Sequence, residues 1–242
     1  MTADTDGIVV RDLAGLAERT AASALYRSVF GYQGPEHAVS PRLLAALHEN
    51  AGTVLGAFDE AGCLIGFCYG FTAVEHGELY HYSQATVVDA RAQGRGVGRQ
   101  LKHAQADAAR RTGAGTMRWT FDPYALRNAH FNLAVLGAAG IRFLPDFYDD
   151  GGSDRVLVRW DLDRPGSGTR APASGHPAEG PSGHPAVDAP ADDRTAAGDP
   201  DDRARLRREL ADRFAAGGRL VGVARREDTP GRVSYLFGQD QA

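Results

Sequence analysis

Three glycines at alternate positions follow a β-branched run and stand directly before a helix-forming segment. The run is Thr86–Val88, and the glycines are Gly94, Gly96 and Gly98. Because glycine has no Cβ, its backbone can turn sharply and expose its N–H groups without steric cost. Several such amides at the start of a helix form a concave anion site, which the helix dipole reinforces. The spacing therefore predicts a pyrophosphate site.

Three basic residues lie beside the glycines in the sequence: Arg95, Arg99 and Lys102. We expect them to add positive charge at the same place. A P-loop is excluded, because Lys102 is followed by His103 and the required glycine spacing is missing. A dinucleotide-binding turn is excluded as well, since the third glycine of Gly-x-Gly-x-x-Gly would fall at Arg99 or at Leu101.

The pattern that fits is [Gln/Arg]-x-x-Gly-x-[Gly/Ala], in the frame Gln93–Gly98 or one frame earlier, Arg91–Gly96. We prefer the later frame because helical sequence follows it directly. On this motif the chain resembles the GNAT superfamily of acyl-CoA-dependent N-acyltransferases. The resemblance implies acetyl-CoA or another acyl-CoA as co-substrate, no metal, and a set of CoA-binding residues: Val87, Val88, Gln93, Gly94, Arg95, Gly96, Val97, Gly98, Arg99 and Asn128.

The elements that must position this turn follow the order β-α-α-β-β-β-α-β-α-β-β, which matches the GNAT plan over about residues 7–163. Apolar periodicity predicts strands at 7–11, 53–58, 63–71, 79–88, 116–121, 141–144 and 155–162, and helices at 13–30, 41–50, 99–112 and 126–136. The expected fold class is therefore α/β (α+β), with a mixed, mostly antiparallel, twisted sheet flanked by helices. Residues 1–163 would form the catalytic domain.

The composition changes abruptly after that domain. Residues 164–200 contain seven Pro and six Gly and no aromatic residue, so they predict a disordered insert. Its two His-Pro pairs, at His176 and His184, are interpreted as parts of a solvated linker rather than a metal site. Residues 201–242 predict a helix and two strands that are too small to fold alone. We expect this element to dock on the main domain or on a second subunit, which would make a homodimer.

Acyl transfer also needs a base for the amine and an acid for the departing thiolate. Glu78 and His81 lie on the strand that leads into the glycines and are the candidates for the base. Family members commonly carry a tyrosine acid four residues before a glycine that matches Gly137, but that position is Leu133 here. Tyr124 and Tyr148 are the substitutes, with His130 as a further one.

Composition indicates in which cellular compartment the protein works and which classes of partner it lacks. The formal net charge is -4 and no basic stripe is present, which argues against nucleic acid as a partner. No apolar run approaches a membrane span of ~20 residues, and the N-terminus lacks a signal-peptide pattern. Cys63 and Cys68 are predicted to lie on opposite faces of one strand, where they cannot pair. A reduced, cytoplasmic protein is the simplest interpretation.

The sequence thus predicts an acyl-CoA-dependent N-acyltransferase that acts on a small-molecule amine by direct transfer in a ternary complex. One branch of the family is loosely associated with N-acylation of amino acids by acetyl or succinyl donors, and the resemblance to it is an analogy. Two alternatives stay open. One is a module that binds or senses acyl-CoA without catalysis, and the other is a protein-modifying acetyltransferase.

Overall fold

The computed structural model describes residues 7–34, 37–162, 186–190, 200–225 and 232–239. The chain divides into two compact units, Met1–Met117 and Arg118–Ala242. The sequence places its boundaries elsewhere, at residues 163 and 200, and that division into domains stays a prediction.

Over its described residues, the first unit has one sheet and three α-helices. Its elements are β1 (Val9–Asp12), α1 (Gly15–Phe30), α2 (Pro41–Glu49), β2 (Thr53–Phe58), β3 (Leu64–Glu75), β4 (Glu78–Val88) and α3 (Val97–Arg111). The strands follow in the order β1-β2-β3-β4 and every neighbouring pair is antiparallel. Sequence signals place the helix ends well: the Ser40 side chain caps α2, and Gly31 ends α1 in the left-handed conformation.

Two apolar layers cover the two faces of this sheet. Helices α1 and α2 pack Ala22 and Leu44 on one face. Helix α3 packs Val97 and Leu101 on the other face. Successive strand residues point to opposite sides, so β2 alternates between the two layers, with Val54 in the first and its neighbour in the second.

Strand β4 contains a β-bulge near its middle. Tyr69 pairs with Ala85, whereas the next residue, Gly70, pairs with Ser83. Gln84 is therefore an extra residue on β4, opposite no residue of β3. Such a bulge bends the strand and changes the direction in which the following side chains point.

The described residues of the second unit form six strands in the order β5-β7-β6-β9-β10-β8. Strand β5 (Thr116–Phe121) begins at the boundary between the units. The rest are α4 (Leu126–His130), a π-helix (Phe131–Val135), β6 (Ala139–Leu144), β7 (Arg155–Asp161), β8 (Ala186–Pro190), α5 (Pro200–Ala215), β9 (Gly218–Arg225) and β10 (Arg232–Gln239). The fold class expected from the sequence, a mostly antiparallel sheet flanked by helices, is confirmed.

The prediction of a disordered insert over residues 164–200 is wrong at residues 186–190. These residues form β8, which pairs with β10, so the described part of the C-terminal addition has three strands rather than two. Composition alone missed this strand, because it is short and Val187 is its one large aliphatic residue, buried in the fold. His176 and His184 lie outside the described residues.

The C-terminal addition packs on the rest of the second unit. Strand β9 bonds to β6 through the pair Leu220–Gly140. A Cβ at Gly140 would lie only 2.8 Å from the Leu220 side chain and 2.9 Å from that of Val156, so close approach of the two strands requires glycine there. Leu206 and Leu210 of α5 are fully buried.

Three observations limit which disulfides, metal sites and membrane-spanning helices the described residues can form. Their two cysteines are free, with Cys63 exposed just before β3 and Cys68 buried in that strand. In the same part of the chain, no group of three or more His, Cys, Asp or Glu side chains could hold a metal ion. None of the described helices has the length and apolar character needed to cross a membrane.

Candidate active site

The chain enters the glycine turn through a short capped helix. Strand β4 ends at Val88, and the Asp89 carboxylate accepts a hydrogen bond from the Arg91 amide at the start of a single 3-10 turn. The Arg91 guanidinium donates to the same carboxylate at 2.9 and 3.0 Å, and these bonds lower the pKa of Asp89 to about 2. Asp89 is therefore ionised at neutral pH and fixes the direction in which the chain leaves the strand.

The turn itself uses two left-handed glycines. Gly94 has φ 81° and Gly96 has φ 79°, values that residues with a Cβ rarely adopt. Gly96 is the N-cap of α3, and the first intrahelical hydrogen bond runs from Gln100 N to Gly96 O. The amides of Val97 and Gly98 come before this bond, so they point out of the helix end. The turn is exposed from Gln93 to Gly96, as an anion site requires.

The polar side chains around the turn differ in their roles. Gln93 donates from Nε2 to the carbonyl of Val88 at 3.3 Å and so ties the turn to the end of β4. Arg95 is exposed and Arg99 half-buried. Lys102 does not lie at the turn, and the expectation that it adds charge there is wrong. It points to the sheet and is only 3% exposed.

The end of β4 can meet a ligand through its backbone. The Val87 side chain is 1% exposed and belongs to the apolar layer under α1 and α2. Val88 packs in the layer under α3. Since both side chains point into the core, only main-chain groups of Val87 and Val88 could pair with an extended substrate arm.

His81 is fully buried on the α3 face of the sheet. Its Nε2 lies 3.0 Å from Thr53 Oγ1. Burial lowers the pKa of His81 to about 4, and the nearby charge of Lys102 lowers it further in the same direction. The ring is neutral at physiological pH, but its burial leaves it no access to an amine from solution. This setting argues against the role of general base that the sequence suggests.

Glu78 lies at the opposite end of β4 from the turn. It is exposed and pairs with Glu75 in the β3–β4 hairpin. Ten residues separate it from Val88, which at about 3.3 Å per residue is ~33 Å along the strand. The structure thus does not bring Glu78 and the glycine turn together.

In the second unit, Tyr124 is held by a buried carboxylate. Its hydroxyl donates to Asp154 Oδ2 at 2.6 Å, and the Arg203 guanidinium of α5 stacks 4.0 Å from its ring centre. Arg207 contacts the other oxygen of Asp154 at 3.3 Å. Burial raises the pKa of Tyr124, and the hydrogen bond to Asp154 raises it further. Tyr124 is consequently a weaker acid than a free tyrosine and already has an acceptor.

Asn128 and Tyr148 are exposed in the same unit. Asn128 stands in the first turn of α4, where its amide bonds to Ala125 O at 2.9 Å. The Tyr148 side chain is 53% exposed, and Arg155 lies 5.1 Å from its ring centre. Both side chains are accessible to a ligand.

The helix that begins with α4 widens into a π-helix, which sequence reasoning missed. Leu136 N bonds to Phe131 O, five residues back. Leu133 is 4% exposed, and the neighbouring Asn132 accepts a hydrogen bond from the Trp119 indole at 2.8 Å. A π-turn inserts a residue, so counting back from Gly137 by α-helical spacing does not identify the side chain that faces outward.

Sequence reasoning also missed a buried polar cluster under the β4 bulge, which includes Ser83, Lys102 and Gln105. A signal for it exists in the sequence. Lys102 shares the inner face of α3 with Ala106 and Ala109 at spacings of four and seven, and all these residues are buried.

Comparisons with known proteins agree with this architecture. The sequence model of the acetyltransferase (GNAT) family matches residues 18–157, more than half of the chain. No curated protein sequence matches this chain.

Solved structures share the fold at low identity. A putative GNAT acetyltransferase from Desulfovibrio desulfuricans is 19% identical with a TM-score of 0.53, over 64% of this chain and 99% of that one. The putative acetyltransferase yncA from Salmonella typhimurium, solved with acetyl-CoA, is 20% identical with a TM-score of 0.53, over 70% and 99%. A chain of the NatC complex bound to Gag peptide and CoA is 13% identical with a TM-score of 0.54, over 64% and 98%. On the family match, the chain belongs to the GNAT family of acyl-CoA-dependent N-acetyltransferases.

Proposed function

We propose that this chain transfers an acetyl or succinyl group from acyl-CoA to the amine of a small molecule such as an amino acid. Transfer is direct, in a ternary complex of enzyme, acyl-CoA and amine. The observation that carries the proposal is the exposed turn at the N-terminus of α3, where Gly94 and Gly96 adopt left-handed conformations directly after β4.

In this proposal the amides from Arg95 to Gly98 bind the pyrophosphate of CoA. The helix dipole of α3 favours the negative charge at that end. The exposed Arg95 adds a positive charge to the same surface. The main chain of Val87 and Val88 pairs with the pantetheine arm, since their side chains point into the core. Asn128 is a further CoA contact.

Proton transfer in this proposal relies on the accessible groups. Tyr148 is the better candidate for the acid, because its side chain is exposed while the Tyr124 hydroxyl is bound to Asp154. A thiol has an ordinary pKa near ~8.5, so water can also protonate the leaving thiolate at modest cost. Glu78 stays a prediction for the base, and His81 is better explained by the buried cluster described below.

The test is release of free thiol from acetyl-CoA and from succinyl-CoA against a panel of amines. The panel contains amino acids, a polyamine, an aminoglycoside and a peptide with a free α-amine. Amine-dependent release with a small molecule supports the proposal. No release with any of them, by a chain that binds CoA, would contradict it.

A matched pair of glycine variants tests where the pyrophosphate binds. Gly96→Glu places a carboxylate in the turn and should abolish CoA binding in calorimetry. Gly77→Glu is the control, because Gly77 also has a positive φ (82°) with open space around it but lies in the β3–β4 turn, at the opposite end of β4. The control should bind CoA as the wild type does. Equal affinity of both variants would refute the placement.

A second candidate function is binding of acyl-CoA without catalysis. The observation that favours it is the absence of an available tyrosine at the expected place: Leu133 is buried and apolar, and Tyr124 is bound to Asp154. Tight CoA binding without amine-dependent thiol release would favour this candidate. Release with the peptide alone would instead indicate a protein-modifying acetyltransferase, in line with the peptide bound by the NatC structure.

A further inference from the structure

Five polar side chains form a continuous hydrogen-bonded cluster inside the first unit, between α3 and the sheet. Lys102 Nζ donates to Ser83 Oγ at 2.8 Å, and Ser83 donates to Gln105 Oε1 at 2.7 Å. Gln105 Nε2 donates to Thr53 Oγ1 at 2.8 Å, and Thr53 lies 3.0 Å from His81 Nε2. Each of these residues is 4% exposed or less. The cluster joins α3 to both β2 and β4.

Lys102 is the only lysine in the sequence, which otherwise has arginine at every basic position. Arginine stays charged in proteins, whereas a buried lysine can lose its proton. Burial lowers the pKa of Lys102 to about 7. The one position that departs from the general use of arginine is therefore a buried one, where a planar, permanently charged guanidinium would be costly.

The cluster lies directly under the β4 bulge. Ser83 is the last residue in register before the extra residue Gln84. Its partner Gly70 has no room for a side chain, because a Cβ there would lie 2.3 Å from Tyr82 O and 2.7 Å from His81 Nε2. Glycine on β3 and the polar cluster on the α3 face together fix the place where β4 leaves regular pairing.

We propose that Lys102 is a positioning residue for acyl transfer, which through Ser83 holds the bulged segment of β4 against the helix that begins at the glycine turn. Lys102 lies in the second turn of α3, so one short connection links the end that would bind pyrophosphate to the strand that would carry the thioester. The inference rests on the proposed function, because it assumes that acyl-CoA lies along β4. Lys102 itself contacts no substrate.

The experiment compares Lys102→Met, Ser83→Ala and the double variant with the wild type. Methionine keeps the length and apolar body of lysine but removes the amine. We measure kcat with acetyl-CoA and the most active amine of the panel, CoA affinity by calorimetry, thermal stability, and hydrogen exchange of peptides covering residues 80–86. A peptide covering residues 16–29 of α1 is the exchange reference. Leu13→Ala is the control for general loss of core packing, because Leu13 is 1% exposed and lies in the layer under α1 and α2, on the opposite face of the sheet from α3.

The proposal expects Lys102→Met to lower kcat at least tenfold while CoA affinity stays within twofold and stability does not fall. Exchange at residues 80–86 should rise at least tenfold and that of α1 should not change. Ser83→Ala should act similarly, and the double variant should be no worse than the worse single one. Leu13→Ala should lower stability but leave kcat and β4 exchange unchanged.

A merely structural role predicts instead that activity follows stability in every variant. Unchanged kcat and unchanged β4 exchange in Lys102→Met would overturn the proposal, and so would parallel losses of CoA affinity, stability and kcat. If the wild type turned over no amine, the proposed function would fail by itself. Hydrogen exchange would then still decide whether Lys102 holds the bulge.

Discussion

Replacing Lys102 by methionine should change how the stability of the protein depends on pH. The pKa of Lys102 is lowered from 10.5 to about 7 by burial. Between these two values the unfolded chain holds a proton that the folded chain has lost, so the free energy of unfolding rises with pH. Below about pH 7 both states hold the proton and this dependence ends.

The size of the effect follows from the two pKa values. Each pH unit between the two pKa values changes the free energy of unfolding by about 1.4 kcal/mol. Because Lys102 is only half deprotonated at pH 7, the free energy of unfolding should rise by about 2 kcal/mol from pH 7 to pH 9. Lys102→Met removes the dependence. The variant should be more stable than the wild type at pH 7, by roughly 1–4 kcal/mol, the range found when buried ion pairs are replaced by apolar side chains, and this advantage should shrink toward pH 9.

Urea unfolding of both proteins at several pH values between 6 and 9.5 measures the difference. A direct check is available because the chain has a single lysine. Selective ¹³C labelling of the lysine side chain gives one NMR signal, and its titration reports the pKa in the folded state. A midpoint near 10.5, or a stability difference that stays constant across this range, would refute the reasoning.

Three further predictions concern a buried hydrogen bond, a closely packed glycine and an ion pair. Tyr124→Phe leaves one oxygen of the buried Asp154 without its donor and should lower the free energy of unfolding by about 1–3 kcal/mol, measured by urea unfolding; if Tyr124 is also the acid, kcat should fall while CoA affinity stays the same. Gly70→Ala introduces a Cβ 2.3 Å from Tyr82 O and should lower the melting temperature by several degrees, and an unchanged melting curve would show that the strands can separate there. The Arg11 guanidinium of β1 donates to the Glu18 carboxylate at 2.7 and 2.8 Å and lowers the pKa of Glu18 to about 2. The stability that this carboxylate contributes is therefore present above about pH 4.5 and is lost as the pH falls toward 2. In acid unfolding, the stability of Glu18→Gln should depend less on pH than that of the wild type.

The sequence predicted the fold where local signals agree with one another. The Ser40-Pro41 cap, the glycine that ends α1 and the β-branched run before the turn each determine one boundary through local chemistry, and each boundary is correct to within two residues. The strand at residues 186–190 depends instead on a partner 48 residues away, since Val187 pairs with Tyr235. Nothing in its own composition indicates that partner.

In the candidate site, too, the sequence predicts the features that depend on local residues and misses those that depend on distant ones. Gly94 and Gly96 could be found because a left-handed conformation requires glycine at a fixed spacing. The direction of the β4 side chains could not be found, because the bulge at Gln84 changes their alternation and depends on Gly70 of another strand. The charge of Lys102 predicts a place at the turn, whereas its helical spacing places it among buried residues.

The pairing of β9 with β6 has a consequence for any shortened form of this protein. An uncovered strand presents a row of unsatisfied amides and carbonyls, which other chains can extend into an aggregate. The last forty residues shield β6 from such intermolecular growth. A chain that stopped after β7 would aggregate through β6 even if its glycine turn kept its conformation. Low solubility of that fragment would therefore carry no information about catalysis.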